Sequence, residues 1–177
     1  LVLLDVRNAF NSVRWVDVLY ELRVTFRLPE YLLRVLRSYL SERRLRYDAV
    51  EGPVWWNITA GAAQGSILGP NIWNVVYDGL LRAPMPDGTF LVGYADDTAA
   101  VIVARDVEEG QVRLNQVMRR VSSWMSARAL RIAEEKTEIL VLSRRHIPLE
   151  VPFRVGNEVV TSGKHVKYLG VHLDNKL

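Results

Sequence analysis

The chain opens on an apolar run, Leu1-Val2-Leu3-Leu4, closed by Asp5, the pattern of a short buried strand. Asn8, Asn11 and Ser12 predict a turn or the start of a helix. Val16, Leu19, Tyr20, Leu22 and Val24 predict a helix that stops at Leu28-Pro29. Leu32, Leu33, Leu36 and Leu40 recur at helical spacing, so 30–41 reads as a second helix. Arg43 to Val50 and Val54 to Thr59 read as a strand pair joined around Gly52-Pro53. Gly61 to Gly69 is a glycine-rich loop. Pro70 suits the first turn of a following helix with Ile72, Trp73, Val76 and Leu80 on its buried face.

Two strand-like runs, Phe90 to Ala95 and Thr98 to Ala104, flank Asp96-Asp97, which predicts a hairpin with an acidic turn. Leu114, Val117, Val121, Trp124 and Met125 keep a period near 3.6 and predict a long amphipathic helix. Ile139 to Leu142, Val151 to Val155 and Val166 to Leu173 read as further strands. Helices and strands mix without βαβ regularity or a dinucleotide fingerprint. The predicted class is α+β, an antiparallel sheet with packed helices.

Composition narrows this picture. With 177 residues, 49% of them hydrophobic, the chain can build one globular domain with a sizeable core. It contains no Cys, which excludes disulfide frameworks, thiolate zinc sites and Cys nucleophiles. Its three His residues, His146, His165 and His172, lack metal-ligand spacing. The first residue is Leu and the last ones directly follow a predicted strand, so we expect a fragment of a longer protein. The uncharged stretch 52–77 contains Pro53, Pro70, four Gly, Asn57, Gln64, Ser66 and Asn71, a density of breakers that argues against a membrane span.

The net charge is +3, unevenly spread: residues 1–50 carry +3, 51–100 carry −4, 101–150 carry +2 and 151–177 carry +2. Basic segments attract phosphates, and a local acidic knot can hold a metal. Arg34, Arg37, Arg43, Arg44 and Arg46 are candidates to track a nucleic-acid backbone. Asp5 ends one apolar strand, and Asp96-Asp97 interrupts an apolar pair. Adjacent carboxylates repel, and apolar flanks make their charges harder to solvate. Mg²⁺ would relieve both, because it takes hard oxygen ligands and commonly uses one or two carboxylates plus substrate phosphates.

These residues resemble the reverse transcriptases, in that family's motif order. Asp5-Val6-Arg7-Asn8-Ala9-Phe10 is similar to the first motif (A), and Ala63-Gln64-Gly65-Ser66-Ile67-Leu68-Gly69-Pro70 to the second (B). Tyr94-Ala95-Asp96-Asp97 is similar to the catalytic hairpin (C), and Leu130 to Glu138, with Lys136-Thr137-Glu138, resembles the fourth motif (D). Lys167-Tyr168-Leu169-Gly170 is similar to the fifth (E). Gln64 to Pro70 with Trp73-Asn74 and Tyr77-Asp78-Gly79 resembles the non-LTR, LINE-like retrotransposons. Asp5 to Ser12 resembles the type-1 arthropod elements inserted in ribosomal DNA. Two departures stand out: Ala62-Ala63 where Val-Pro is usual, and Asn11 where many relatives carry Asp.

The resemblance implies a Pol fragment over 1–177 containing a palm with part of the fingers and no thumb. It implies an RNA-directed DNA polymerase, a nucleotidyltransferase that extends a primer 3′ end with dNTPs during retrotransposition. Two Mg²⁺ ions, with Mn²⁺ as a substitute, would be held by Asp5, Asp96, Asp97 and the Val6 carbonyl. Phe10 would exclude a 2′-hydroxyl, Gln64 and Gly65 would meet the template–dNTP pair, and Tyr94 would touch the primer terminus. Lys136 would meet the leaving pyrophosphate, and Lys167, Tyr168 and Gly170 would hold the primer. Implied partners are an RNA template and a DNA primer at nicked target DNA, with no membrane. The setting would be intracellular, and nuclear during integration. The complete protein would carry an endonuclease, and the isolated fragment would be inactive. Two alternatives remain: a non-catalytic nucleic-acid-binding remnant, and an RNA-directed RNA polymerase palm. Tyr94-Ala95-Asp96-Asp97 and Phe10 argue against the second, which usually carries Gly-Asp-Asp and a polar sugar-recognising residue.

Overall fold

The computed structural model describes residues 1–63, 65–143 and 150–175. The chain divides into two compact units: Leu1–Arg7 with Leu80–Leu177, and Asn8–Gly79.

The first unit is built on a four-stranded antiparallel sheet. Its strands are β1 (Val2–Leu4), β4 (Thr89–Tyr94), β5 (Asp97–Ile102) and β6 (Glu138–Ile139), in the order β4-β5-β1-β6. Side chains alternate across a strand, so one face carries Val2, Leu4, Thr98 and Ala100, all nearly inaccessible to solvent. The 21-residue helix α5 (Val107–Ala127) packs against β5 and buries Leu114, Val117, Met118, Val121 and Met125. Trp124, predicted for that stripe, is only half-buried, with the Arg128 guanidinium 4.2 Å from its ring centroid. Side chains cap the start of the helix. Asp106 accepts from the Glu109 N–H at 2.8 Å, and Glu109 reaches back to the Arg105 N–H at 2.7 Å.

Two hairpins complete this unit, β7 (Pro152–Val155) with β8 (Glu158–Thr161) and β9 (His165–Tyr168) with β10 (Val171–Asp174). The second replaces the single run expected from Val166 to Leu173. Leu169 (φ 49°) and Gly170 (φ 82°) both lie in the left-handed region, as a type I′ turn requires.

The second unit contains α1 (Ala9–Ser12), α2 (Trp15–Val24), α3 (Glu30–Leu40), the hairpin β2 (Arg44–Ala49) with β3 (Gly52–Asn57), and most of α4 (Gly69–Leu81). Helix α4 buries Ile72, Trp73, Val76 and Leu80 as predicted, and Tyr77 as well. Helix α2 forms where expected, yet Val16, Tyr20 and Val24 stay exposed while Val18 and Glu21 are buried. A buried carboxylate needs a partner, and the Thr25 hydroxyl donates to Glu21 at 2.6 Å. Arg34 and Arg37 on α3 and Arg44 and Arg46 on β2 are exposed. Arg43 sits 4.8 Å from the Tyr39 ring centroid, and Arg46 pairs with Asp48 at 3.2 Å.

Among the described residues, no helix is long and apolar enough to cross a membrane.

Candidate active site

In the first unit, the register of the sheet brings the acidic residues together. Leu4 pairs with Thr98 and Leu3 with Ala99, so continuing one residue past the strand end sets Asp5 opposite Asp97. Tyr94 pairs with Asp97 on the other side. Directly opposed residues project from the same face. The row Tyr94–Asp97–Asp5 therefore lies across the end of the sheet, on the face opposite Leu4 and Thr98. Phe90 and Val92 are exposed on that same face, and Tyr94 is 67% exposed.

The hairpin turn is not the Asp96-Asp97 pair that the sequence suggested. Because Tyr94 pairs with Asp97, the two central residues are Ala95 and Asp96. Ala95 has φ 53° and Asp96 does not share it, so an alanine takes the positive-φ position that glycine usually fills. A left-handed alanine costs on the order of 1 kcal/mol, and strain of this sort clusters at functional sites. Asp96 thus projects from the turn while Asp97 projects from a strand.

Burial raises the Asp97 carboxyl above the usual carboxylate range, and the charges of Asp96 and then Asp5 add to it. Three carboxylates consequently share one field. Among the described residues, no three His, Cys, Asp or Glu side chains form a group able to cage a metal ion. Mg²⁺ needs no such cage, since it commonly takes one or two protein carboxylates and completes its shell with water or phosphate oxygens. The mutual repulsion and hard oxygen chemistry of Asp5, Asp96 and Asp97 fit that ion. The Val6 carbonyl takes no part in the neighbouring bridge. In the Val6–Ile132 bridge, the hydrogen bonds run from the Arg7 N–H to the Arg131 carbonyl and from the Ala133 N–H to the Asp5 carbonyl, both at 2.9 Å. The Val6 carbonyl therefore faces the other way.

Two further predicted residues meet this row. The Lys136 ammonium donates to Asp5 Oδ2 at 2.9 Å, which holds the lysine pKa above its ordinary value. The Tyr168 hydroxyl is buried with no hydrogen-bond partner among the described residues; burial first and the Asp97 charge second push its pKa up. Tyr168 thus faces the carboxylates, while Lys167 is exposed on β9 and Gly170 occupies the adjoining turn.

The second unit gathers another part of the predicted set. Phe10 on α1 lies 5.6 Å from the Trp73 ring, which stacks on Tyr77 at 5.0 Å. The glycine-rich loop is tied to the same helix: the Ala62 N–H donates to the Phe10 carbonyl at 2.7 Å, and the Gly61 N–H to Val13 at 2.7 Å. Trp15 Nε1 donates to the Gly61 carbonyl at 2.8 Å. Gly65 follows with φ 78°. Gln64 lies outside the described residues.

Along this scaffold, residues 1–173 match the family model described as reverse transcriptase (RNA-dependent DNA polymerase). The chain belongs to the reverse transcriptase family. Its relatives place it with the Pol proteins of R1/R2-type non-LTR retrotransposons. It is 31% identical to the Pol polyprotein of the type-1 retrotransposable element R2 of Nasonia vitripennis, covering 97% of this chain and 18% of that protein. It is 26% identical to that of element R1 of Bradysia coprophila, covering 98% and 17%. It is also 26% identical to the RNA-directed DNA polymerase of the mobile element jockey of Drosophila melanogaster, covering 98% and 19%. The chain therefore spans less than a fifth of the length of these relatives. Among solved structures, telomerase from Candida albicans shares the fold at a TM-score of 0.64 and 13% identity, over 96% of this chain and 30% of that one.

In this reverse transcriptase domain, an ionised Asp97 costs stability. The pKa of Asp97 is higher in the folded state than the ordinary value. Below that ordinary value the group is protonated in both states and contributes nothing; above the folded value its charge is penalised only in the fold. Asp97→Asn is therefore expected to melt at a higher temperature than the parent near pH 7. The gain should shrink to nothing as pH falls through the Asp97 titration toward about 3.9. Thermal melts across pH 3–8 check this, and a lower melting temperature for the variant at pH 7 would contradict it.

The sequence motifs did not reveal what supports the row. Arg7 donates to both oxygens of Glu135 at 2.8 and 2.7 Å. A residue 128 positions away has no local signal; only the pairing of strand ends makes it a neighbour.

Proposed function

We propose that this domain is the palm core, with part of the fingers, of an RNA-directed DNA polymerase that extends a primer 3′ end with dNTPs. The observation that carries the proposal is the row formed by Asp5 and Asp97 across two strand ends, with Asp96 on the adjoining turn. Asp5, Asp96, Asp97 and the Val6 carbonyl would hold two Mg²⁺ ions, with Mn²⁺ as a substitute. When bound, such ions supply activation of the primer hydroxyl and charge neutralisation at the triphosphate.

The chain's own residues do the rest. Phe10, backed by Trp73, presents a ring rather than a polar group to the incoming sugar. Gln64 and Gly65 offer an amide and backbone N–H groups to the template–dNTP pair. Lys136 meets the leaving pyrophosphate as a cation or proton donor. Tyr94 supports the primer terminus, and Lys167, Tyr168 and Gly170 hold the primer. Exposed Arg34, Arg37, Arg44 and Arg46, with half-buried Arg43, track a phosphate backbone. The complete protein would add an endonuclease, and its synthesis would start at nicked chromosomal DNA in the nucleus.

The test is primer extension on matched RNA and DNA templates, with dNTPs and rNTPs, by the complete protein. Mg²⁺-dependent dNTP incorporation on RNA is the expected result. Preferential rNTP incorporation would identify an RNA-directed RNA polymerase, and binding without extension would identify a remnant. The isolated 177 residues should not extend a primer detectably.

A further inference from the structure

Lys136 is held at Asp5 by more than its own ion pair. Val2 pairs with Ile139 and Leu3 with Glu138, whereas Val6 bridges Ile132, so the register along β1 changes by three residues between these points. The surplus is taken up as a single 3-10 turn, Glu134–Lys136. Side chains on such a turn are about 120° apart, so three successive residues point in three directions. Here each direction has a partner. Glu134 accepts from the Asn157 N–H at 3.3 Å, in the β7–β8 turn. That approach needs Gly156, because a Cβ there would collide with the Glu134 carboxylate. Glu135 is clamped by Arg7, two residues beyond Asp5. Lys136 reaches Asp5 Oδ2 at 2.9 Å.

An isolated surface lysine would wander and contribute little. This one grows from a backbone fixed on both sides, and its ammonium meets a carboxylate already crowded by Asp96 and Asp97. We propose that Lys136 is the resident counter-ion of Asp5, and that a divalent ion binds there by displacing it. An ammonium and a hydrated divalent ion are both cations and compete for the same oxygen. The turn is then a positioning device that keeps the carboxylates from repelling one another before the ion arrives. Displacement also frees the lysine for an anionic ligand. This inference rests on the polymerase reading above.

Mn²⁺ binding to the complete protein, followed by electron paramagnetic resonance, tests it. The signal lost in Asp5→Asn defines the site. Lys136→Gln should tighten that component by about five- to tenfold, since it removes both a competitor and a like charge. Lys136→Arg, which keeps the charge, should stay within about twofold of the parent on the same physical ground. Unchanged or weaker binding in Lys136→Gln overturns the counter-ion role, as does equal tightening in Lys136→Arg. A second measurement needs no variant: pulse acetylation of the parent protein should label Lys136 faster with Mg²⁺ than without, and unchanged labelling overturns the role. Absence of any Asp5-dependent Mn²⁺ binding in the parent would instead overturn the polymerase reading.

Discussion

Asp96→Asn in the complete protein is expected to lower primer extension on the order of 10³-fold or more, equivalent to about 4 kcal/mol of transition-state stabilisation. The substitution keeps size and shape and removes only charge. Asp96 sits on the two-residue turn between β4 and β5, so no strand register depends on its side chain. Folding should survive and melting should hold or rise, because one repelling neighbour of Asp97 is gone. The discriminating measurement is single-turnover extension at saturating dNTP beside a thermal melt. Loss of extension with an intact melt supports direct participation. Full activity would remove Asp96 from the chemistry.

Phe10→Ala is expected to relax sugar selection by about 10- to 100-fold, the range over which a pocket discriminates by one small group. The argument is steric. Phe10 is half-buried on α1 and braced by Trp73, itself fully buried and stacked on Tyr77. A braced ring cannot swing aside to admit a hydroxyl. Truncating it opens that volume, and incorporation of rNTP relative to dNTP should rise mainly through the apparent rNTP KM. Phe10→Tyr, which keeps the ring, should retain selection. The measurement is the ratio of kcat/KM for paired dNTP and rNTP substrates. An unchanged ratio in Phe10→Ala would show that Phe10 serves packing alone.

Much of this was legible in the chain because the signals are local. The buried face of α4 follows from Ile72, Trp73, Val76 and Leu80 at helical spacing, and that of α5 from Leu114, Val117, Val121 and Met125. The turn of the acidic hairpin lies one residue earlier than the sequence pattern predicts. Alternation cannot tell which two of Tyr94-Ala95-Asp96-Asp97 form the turn, since Ala95 is a poor left-handed residue and Asp96-Asp97 a good turn dipeptide. Cross-strand pairing of Tyr94 with Asp97 decides it. Helix α2 was legible as a helix but not in its facing: Val16, Tyr20 and Val24 are exposed, and Glu21 is buried beside Thr25.

By itself, the sequence determined the inventory: an α+β chain, three carboxylates in two motifs, an aromatic five residues after the first, and a lysine in a charged run. Those are properties of spacing and side-chain type, which a linear chain carries. The tertiary structure alone decided which groups meet. The antiparallel register sets Asp5 opposite Asp97, and a three-residue register change makes the turn that delivers Lys136 to Asp5. Electrostatic interaction depends on distance in space, and strand pairing brings residues 5, 97 and 136 to one end of a sheet.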